Sequence, residues 1–141
     1  MVERIAITVI VAAAVAGVVL ACTLMQKRRS AAQAAGSRLL DGLRSDLPVI
    51  IYFWSEMCVP CKAVQTPALD RIEQDLAGCV QVVRVDAAVH TDEAKAWGVL
   101  TTPTTILLGP GGQQINNRVV RADELKTQLA TISGEIGLCR S

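Results

Sequence analysis

The chain has 141 residues, 14 Lys and Arg against 13 Asp and Glu, and a formal net charge of +1. So even a balance, with one short basic cluster, excludes a nucleic-acid-binding stripe as the main feature. Five cysteines and one histidine are too few and too scattered for a disulfide framework, and the length suits one compact domain with an appendage.

The appendage comes first. Ile5 to Met25 is a run of 21 residues without a charged side chain, roughly 31 Å long as a helix and enough to cross a bilayer. Lys27-Arg28-Arg29 directly after it reads as a stop-transfer boundary and not as a cleavage site, so a retained single-pass anchor at the cell membrane is expected. Val19-Leu20-Ala21-Cys22 also resembles a lipobox, the alternative being a lipoprotein held through Cys22. The apolar run continues through Thr23-Leu24-Met25, however, and Cys22 reads as a small apolar residue within the helix. Lys27, Arg28, Arg29 and Arg38 all follow the span, which by the positive-inside rule predicts a cytoplasmic domain, the alternative being an extracytoplasmic one. The organisation expected is a transmembrane helix over 5–25, a linker over 26–37 and a globular domain over 38–141.

Arg38 to Leu43 has helical apolar spacing and predicts a short helix ending near Asp46. Leu47-Pro48 then breaks into an apolar strand over Val49–Trp54, suited to burial on both faces. From Lys62 to Ala77, Val64, Leu69, Ile72 and Leu76 recur at helical intervals, with Pro67 expected to kink the helix and Gly78 to end it. Val80 to Val85 predicts a second strand. Thr91 to Trp97 predicts a short helix capped by Thr91, and Thr101-Thr102-Pro103 lies in the loop after it. Thr104 to Leu108 and Gln114 to Val120 predict a hairpin about the Gly109-Pro110-Gly111-Gly112 turn, and Asp123 to Ile132 a closing amphipathic helix. The order α-β-α-β-α-β-β-α implies an α/β fold, a mixed four-stranded sheet flanked by helices.

Cys58-Val59-Pro60-Cys61 lies where the first strand gives way to a helix. Two thiols at a helix start can close a small disulfide ring, and the unpaired N–H groups and positive dipole end there favour a thiolate. A stabilised thiolate beside a second thiol is what thiol–disulfide exchange requires. The pair could instead hold zinc, but that needs four ligands, and Cys79, Cys139 and His90 are not in paired spacing. No metal is therefore expected. His90 reads as solvated, Cys79 as a buried small hydrophobe, and Cys139 as inert, with glutathionylation or pairing between chains as alternatives. Trp97 and Leu100 are expected to pack near the proline loop.

From about Leu39 onward this order of elements resembles the thioredoxin family. The likeness rests on Phe53-Trp54-Ser55-Glu56-Met57-Cys58-Val59-Pro60-Cys61-Lys62, on Pro67, on Val83-Arg84-Val85-Asp86 and on Thr101-Thr102-Pro103-Thr104. The resemblance implies a membrane-tethered protein-disulfide oxidoreductase. Cys58 would be the nucleophile and Cys61 the buried resolving thiol. Pro103, if cis, would lie against them, and the backbone of Thr102 would pair with an extended substrate. Met57, Val59 and Pro60 would complete the substrate rim, and Trp54 would pack beneath it. Pro60 resembles the reducing members of the family. Implied partners are disulfide-containing proteins, an electron-donor reductase or thiol, and the lipid bilayer through 5–25, with no cofactor and no nucleic acid. The chain also departs from the pattern. Tyr52 stands where many thioredoxins have a buried Asp, Val82 stands near the position of the usual Lys, and Met57 replaces a Trp. The family's first strand is replaced by the linker and helix. Glu56, Lys62 or water could take the proton of Cys61. The alternative function is a thioredoxin-fold binding or metal-delivery module with weak redox activity.

Overall fold

The computed structural model describes residues 11–25 and 38–134. The chain divides into two compact units, Met1–Gly36 and Ser37–Ser141. In the first, residues 11–25 form an exposed helix, α1. Residues 5–10 of the expected span and the 26–37 linker lie outside the described residues, and no described helix is long and apolar enough to cross a membrane.

In the second unit the expected short helix is only a 3-10 turn, Arg38–Leu40. Gly42 follows at φ 80°, a left-handed conformation that stops the turn before a second can form. Strands β1 (Val49–Trp54), β2 (Gln81–Asp86), β3 (Thr104–Gly109) and β4 (Gly112–Asn116) make one sheet in the order β2-β1-β3-β4. β1 runs parallel to β2, with Val49 opposite Gln81, and antiparallel to β3, with Val49 opposite Leu108. β4 ends at Asn116, short of the expected Val120. The mixed four-stranded sheet of the sequence reading is thus present, with β1 and β3 at its centre.

β1 is apolar throughout because both its faces are covered: Val49 to Phe53 are all buried. Ile50 and Tyr52 share one core with Leu107 of β3, with Leu69 and Ile72 of helix α2 (Thr66–Asp75), and with Leu125, Leu129 and Ile132 of helix α4 (Ala122–Ser133). Strand alternation turns Ile51 and Phe53 to the opposite face, and each is fully buried there too. Helix α3 (Thr91–Ala96) lies between β2 and β3. Its N-cap is His90, whose side chain makes no capping bond, so the expected cap Thr91 is instead the first helical residue.

Pro67 acts differently from the expected mid-helix kink. Helical backbone begins at Val59 and Pro60, passes through a π turn at Cys61–Gln65, and becomes α2 at Thr66. The Thr66 N–H donates to the Cys61 carbonyl, five residues back. The widened turn accommodates a proline ring that would otherwise crowd the carbonyl four residues before it. It also shifts the inward face. Val64, expected inside, is exposed, and Gln65 is buried in its place. Gln65 spans the core polar gap: its Nε2 donates to the Val120 carbonyl at 3.2 Å and its Oε1 accepts the Val120 N–H at 2.8 Å.

Candidate active site

Cys58 and Cys61 stand where β1 gives way to the helix, with Ser55, Glu56 and Met57 forming the turn between. The Cys58 N–H donates to the Ser55 carbonyl at 3.1 Å, and the Cys58 carbonyl accepts the Lys62 N–H at 3.3 Å, the first bond of the helix. Pro60, at φ −65°, fits this first turn, where a missing N–H removes no helical bond. The two sulfurs are bonded to each other, with Cα atoms 5.2 Å apart. The Cys61 backbone N–H also donates to the Cys58 Sγ at 3.2 Å. This is the bond of an N-cap, with sulfur in the place of oxygen. It aims a donor, together with the helix dipole, at the atom that carries charge once the bond is reduced.

Burial separates the roles of the two sulfurs. Cys58 is 8% exposed and Cys61 is 0% exposed, so an incoming group can reach only the first. Around Cys58, Met57 and Val59 turn almost wholly to solvent, and Pro60 is exposed too. Trp54 is half-buried and packs against the core cluster that contains both cysteines.

The Thr102–Pro103 peptide is cis, as the resemblance required, and Pro103 is buried. A hydrogen bond at 3.3 Å between the Ser55 and Thr102 hydroxyls ties the turn before Cys58 to this loop. Thr104 anchors the loop from the other side through its hydroxyl bond to the Thr101 carbonyl at 2.7 Å. Trp97 is buried, but Leu100 projects into solvent at 92% exposure, against the expected packing. A groove of about 410 Å³ runs beside the loop, lined by Thr91, Ala94, Lys95, Val99, Leu100 and Thr102.

Beneath the cysteines sits Tyr52, 1% exposed. Its hydroxyl donates to the Cys61 carbonyl at 3.3 Å and lies 3.3 Å from the Thr66 hydroxyl. Burial pushes its phenol above the usual tyrosine value, offset in part by the Thr66 bond and the nearby Arg84 charge. Arg84 is the register neighbour of Tyr52 on β2 and is held by Asp70 at 2.8 Å and Glu73 at 2.6 Å. Arg84 is thus a cation in register with Tyr52, two positions on from Val82. Glu56 and Lys62, the candidate proton acceptors, are both exposed. Ser55, Thr66 and Arg84 were missed by the sequence reading. Each acts through a partner 11 to 47 positions away, and no local pattern marks such a partner.

The family model described as Thioredoxin matches residues 32–132. Among curated relatives, the thioredoxin of Rickettsia conorii is 38% identical over 72 residues, spanning 51% of this chain and 68% of the relative. The thioredoxin of Synechocystis sp. is 36% identical over 76 residues, spanning 54% and 69%. Among solved structures, a mutant thioredoxin from Halobacterium salinarum superposes with a TM-score of 0.59 at 25% identity, covering 70% of this chain and 86% of that one.

Proposed function

Because the chain belongs to the thioredoxin family and is a thiol–disulfide oxidoreductase, we propose that it works as a membrane-tethered protein disulfide reductase. The observation that carries the chemistry is the Cys58 sulfur. It is bonded to Cys61, accepts a helix N-terminal N–H, and is the more accessible of the two.

The structure holds the oxidised end of the cycle. An electron-donor dithiol, protein or small molecule, reduces the Cys58–Cys61 bond and is itself left as a disulfide. The Cys58 thiolate then attacks one sulfur of a substrate disulfide. That bond breaks, a Cys58–substrate disulfide forms, and the other substrate sulfur leaves as a thiolate and takes a proton. Cys61 loses its proton and attacks the Cys58 Sγ, releasing the second substrate sulfur and restoring the Cys58–Cys61 bond. Two electrons have passed from the dithiol to the substrate.

The cis Thr102–Pro103 loop supports an extended substrate backbone beside Cys58. The exposed Met57, Val59 and Leu100 supply apolar contact around it. The reducing direction rests on the Cys-Val-Pro-Cys resemblance. The tether rests on the uncharged run Ile5–Met25, and on charge alone the basic flank would put the domain on the cytoplasmic side.

Full-length protein in detergent, assayed for insulin reduction with a dithiol donor, tests the reading. Turnover lost in Cys58→Ser and mixed disulfides accumulating in Cys61→Ser are expected. Undiminished turnover in Cys58→Ser refutes it. Retention in the membrane pellet after alkaline carbonate washing tests the tether separately.

A further inference from the structure

The closing exchange is made by a sulfur with little freedom to search. Cys61 is fully buried, so the place of its Sγ once the Cys58–Cys61 bond has opened is set by its own backbone. That backbone begins the π turn Cys61–Gln65, and two donors meet on its carbonyl. The Thr66 N–H reaches it from within the helix. The Tyr52 hydroxyl reaches it from β1 at 3.3 Å, across nine positions of chain. A carbonyl oxygen has two lone pairs, and both are taken.

The direction of the neighbouring bond follows from counting protons. A phenol carries one, and Tyr52 gives it to the Cys61 carbonyl. The Thr66 hydroxyl, 3.3 Å from the phenol oxygen, is therefore the donor of that pair. The result is a chain from the Thr66 hydroxyl through the Tyr52 hydroxyl to the Cys61 carbonyl, in which each bond polarises the next. Burial, the largest influence on the phenol, pushes its pKa above the ordinary value, so it keeps its proton and donates at neutral pH. The ring itself is fixed: Tyr52 is buried and stands in register between Arg84 of β2 and Thr105 of β3.

We propose that Tyr52 is a positioning residue for the closing step, a role that rests on the exchange cycle described above: its hydroxyl, backed by that of Thr66, holds the Cys61 backbone in place while the Cys58–Cys61 bond is open.

The closing step has most need of such a hold. In the mixed disulfide the covalent link between the two cysteines is gone. Cys61, its proton lost, must bring its Sγ in line with the Cys58–substrate bond. The Cys58–Cys61 bond forms and the substrate sulfur leaves as a thiolate. A misplaced attacking atom makes this step slow. The Tyr52 bond joins β1 to the helix around the turn that carries Cys58, and it does not depend on the disulfide. The opening step does not call on it. The N–H that the Cys58 Sγ accepts belongs to the peptide before Cys61, and that stretch is held by the bonds of Cys58 to Ser55 and Lys62.

Rapid-quench exchange tests the assignment. Full-length protein in detergent is reduced with a dithiol, freed of it and mixed with dithiobis(nitrobenzoate), an aromatic disulfide. Acid stops the reaction, and the peptic peptide that contains Cys58 and Cys61 is weighed as dithiol, mixed disulfide or ring disulfide. In Tyr52→Phe the mixed disulfide should form at the wild-type rate and close roughly five-fold more slowly. Thr66→Val should close about two-fold more slowly, and Thr66→Ser, which keeps the hydroxyl, at the wild-type rate. A general loosening of the domain would move both steps, whereas here only the second moves. Closure of Tyr52→Phe at the wild-type rate, or equal slowing of both its steps, overturns the proposal. So does a Thr66→Ser as slow as Thr66→Val. If Tyr52→Phe does not fold, the two Thr66 variants decide. Wild type that forms no mixed disulfide at Cys58 would count against the exchange cycle. Wild type that closes its ring no faster than Tyr52→Phe would count against this assignment alone.

Discussion

The two ends of the sheet are built for opposite purposes. At the end after β1, a sulfur is left accessible, large apolar side chains stand in solvent, and the Ser55 and Thr102 hydroxyls link two loops from 47 residues apart. At the other end the backbone is packed too closely for side chains. A Cβ on Gly109 would lie 2.6 Å from the Ile132 carbonyl oxygen, and one on Gly111 would lie 2.9 Å from it. The first end must admit a substrate backbone and let two bonds exchange. The second holds α4 against the β3–β4 hairpin.

That contrast can be broken from either side. The largest effect should come from Cys58→Ser, which abolishes insulin reduction while the thermal midpoint reports a folded domain. Gly109→Ala should do the reverse. Its added methyl meets backbone, which cannot rotate away, so about 2 kcal/mol of stability should be lost in a urea titration, with the activity of the remaining folded protein unchanged. Full activity loss in that variant under folding conditions would show that the two ends are coupled.

Tyr52→Phe sharpens the boundary between them, because Tyr52 belongs to the core yet bonds the Cys61 carbonyl. It should cost about 1 kcal/mol. Its pH dependence is distinctive. The folded phenol titrates above its ordinary value of 10.0, so its protonated form stabilises the fold. That contribution is complete below pH 10.0 and is lost as pH rises through the folded pKa. Wild type should therefore lose stability more steeply than Tyr52→Phe at alkaline pH, as read by denaturant midpoints. The smallest effect is expected from Thr102→Val, which removes the bond to Ser55. Stability should fall by about 0.5 kcal/mol, while KM for a protein substrate rises and kcat is held.

Much of this was legible in the chain itself. The run Val49–Trp54 could only be a strand buried on both faces, since six successive large or β-branched residues leave no polar side to expose. The position of Cys58 and Cys61 between that strand and a helix followed directly, as did Pro103 before β3. The errors share a cause. Val64 was read as inward because α-helical spacing was carried through a segment that forms a π turn, and Gln65 took the buried place. Helical spacing at Arg38 to Leu43 became a 3-10 turn because Gly42 reverses the backbone there. Cys79, read as a buried small hydrophobe, is buried but is also disulfide-bonded, which its local setting does not mark.

By itself, then, the sequence determined the order of elements, the redox pair and the proline loop, because periodicity and spacing act over one or two turns of chain. Only the tertiary structure decided which sulfur is accessible, which hydroxyls join the turn before Cys58 to the proline loop, and that Tyr52 and Arg84 lie beneath the site. Those outcomes depend on contacts such as the Gln65–Val120 bonds, made across 55 positions. Their geometry exists only once the sheet has brought distant segments together and excluded the water that would otherwise satisfy each group separately.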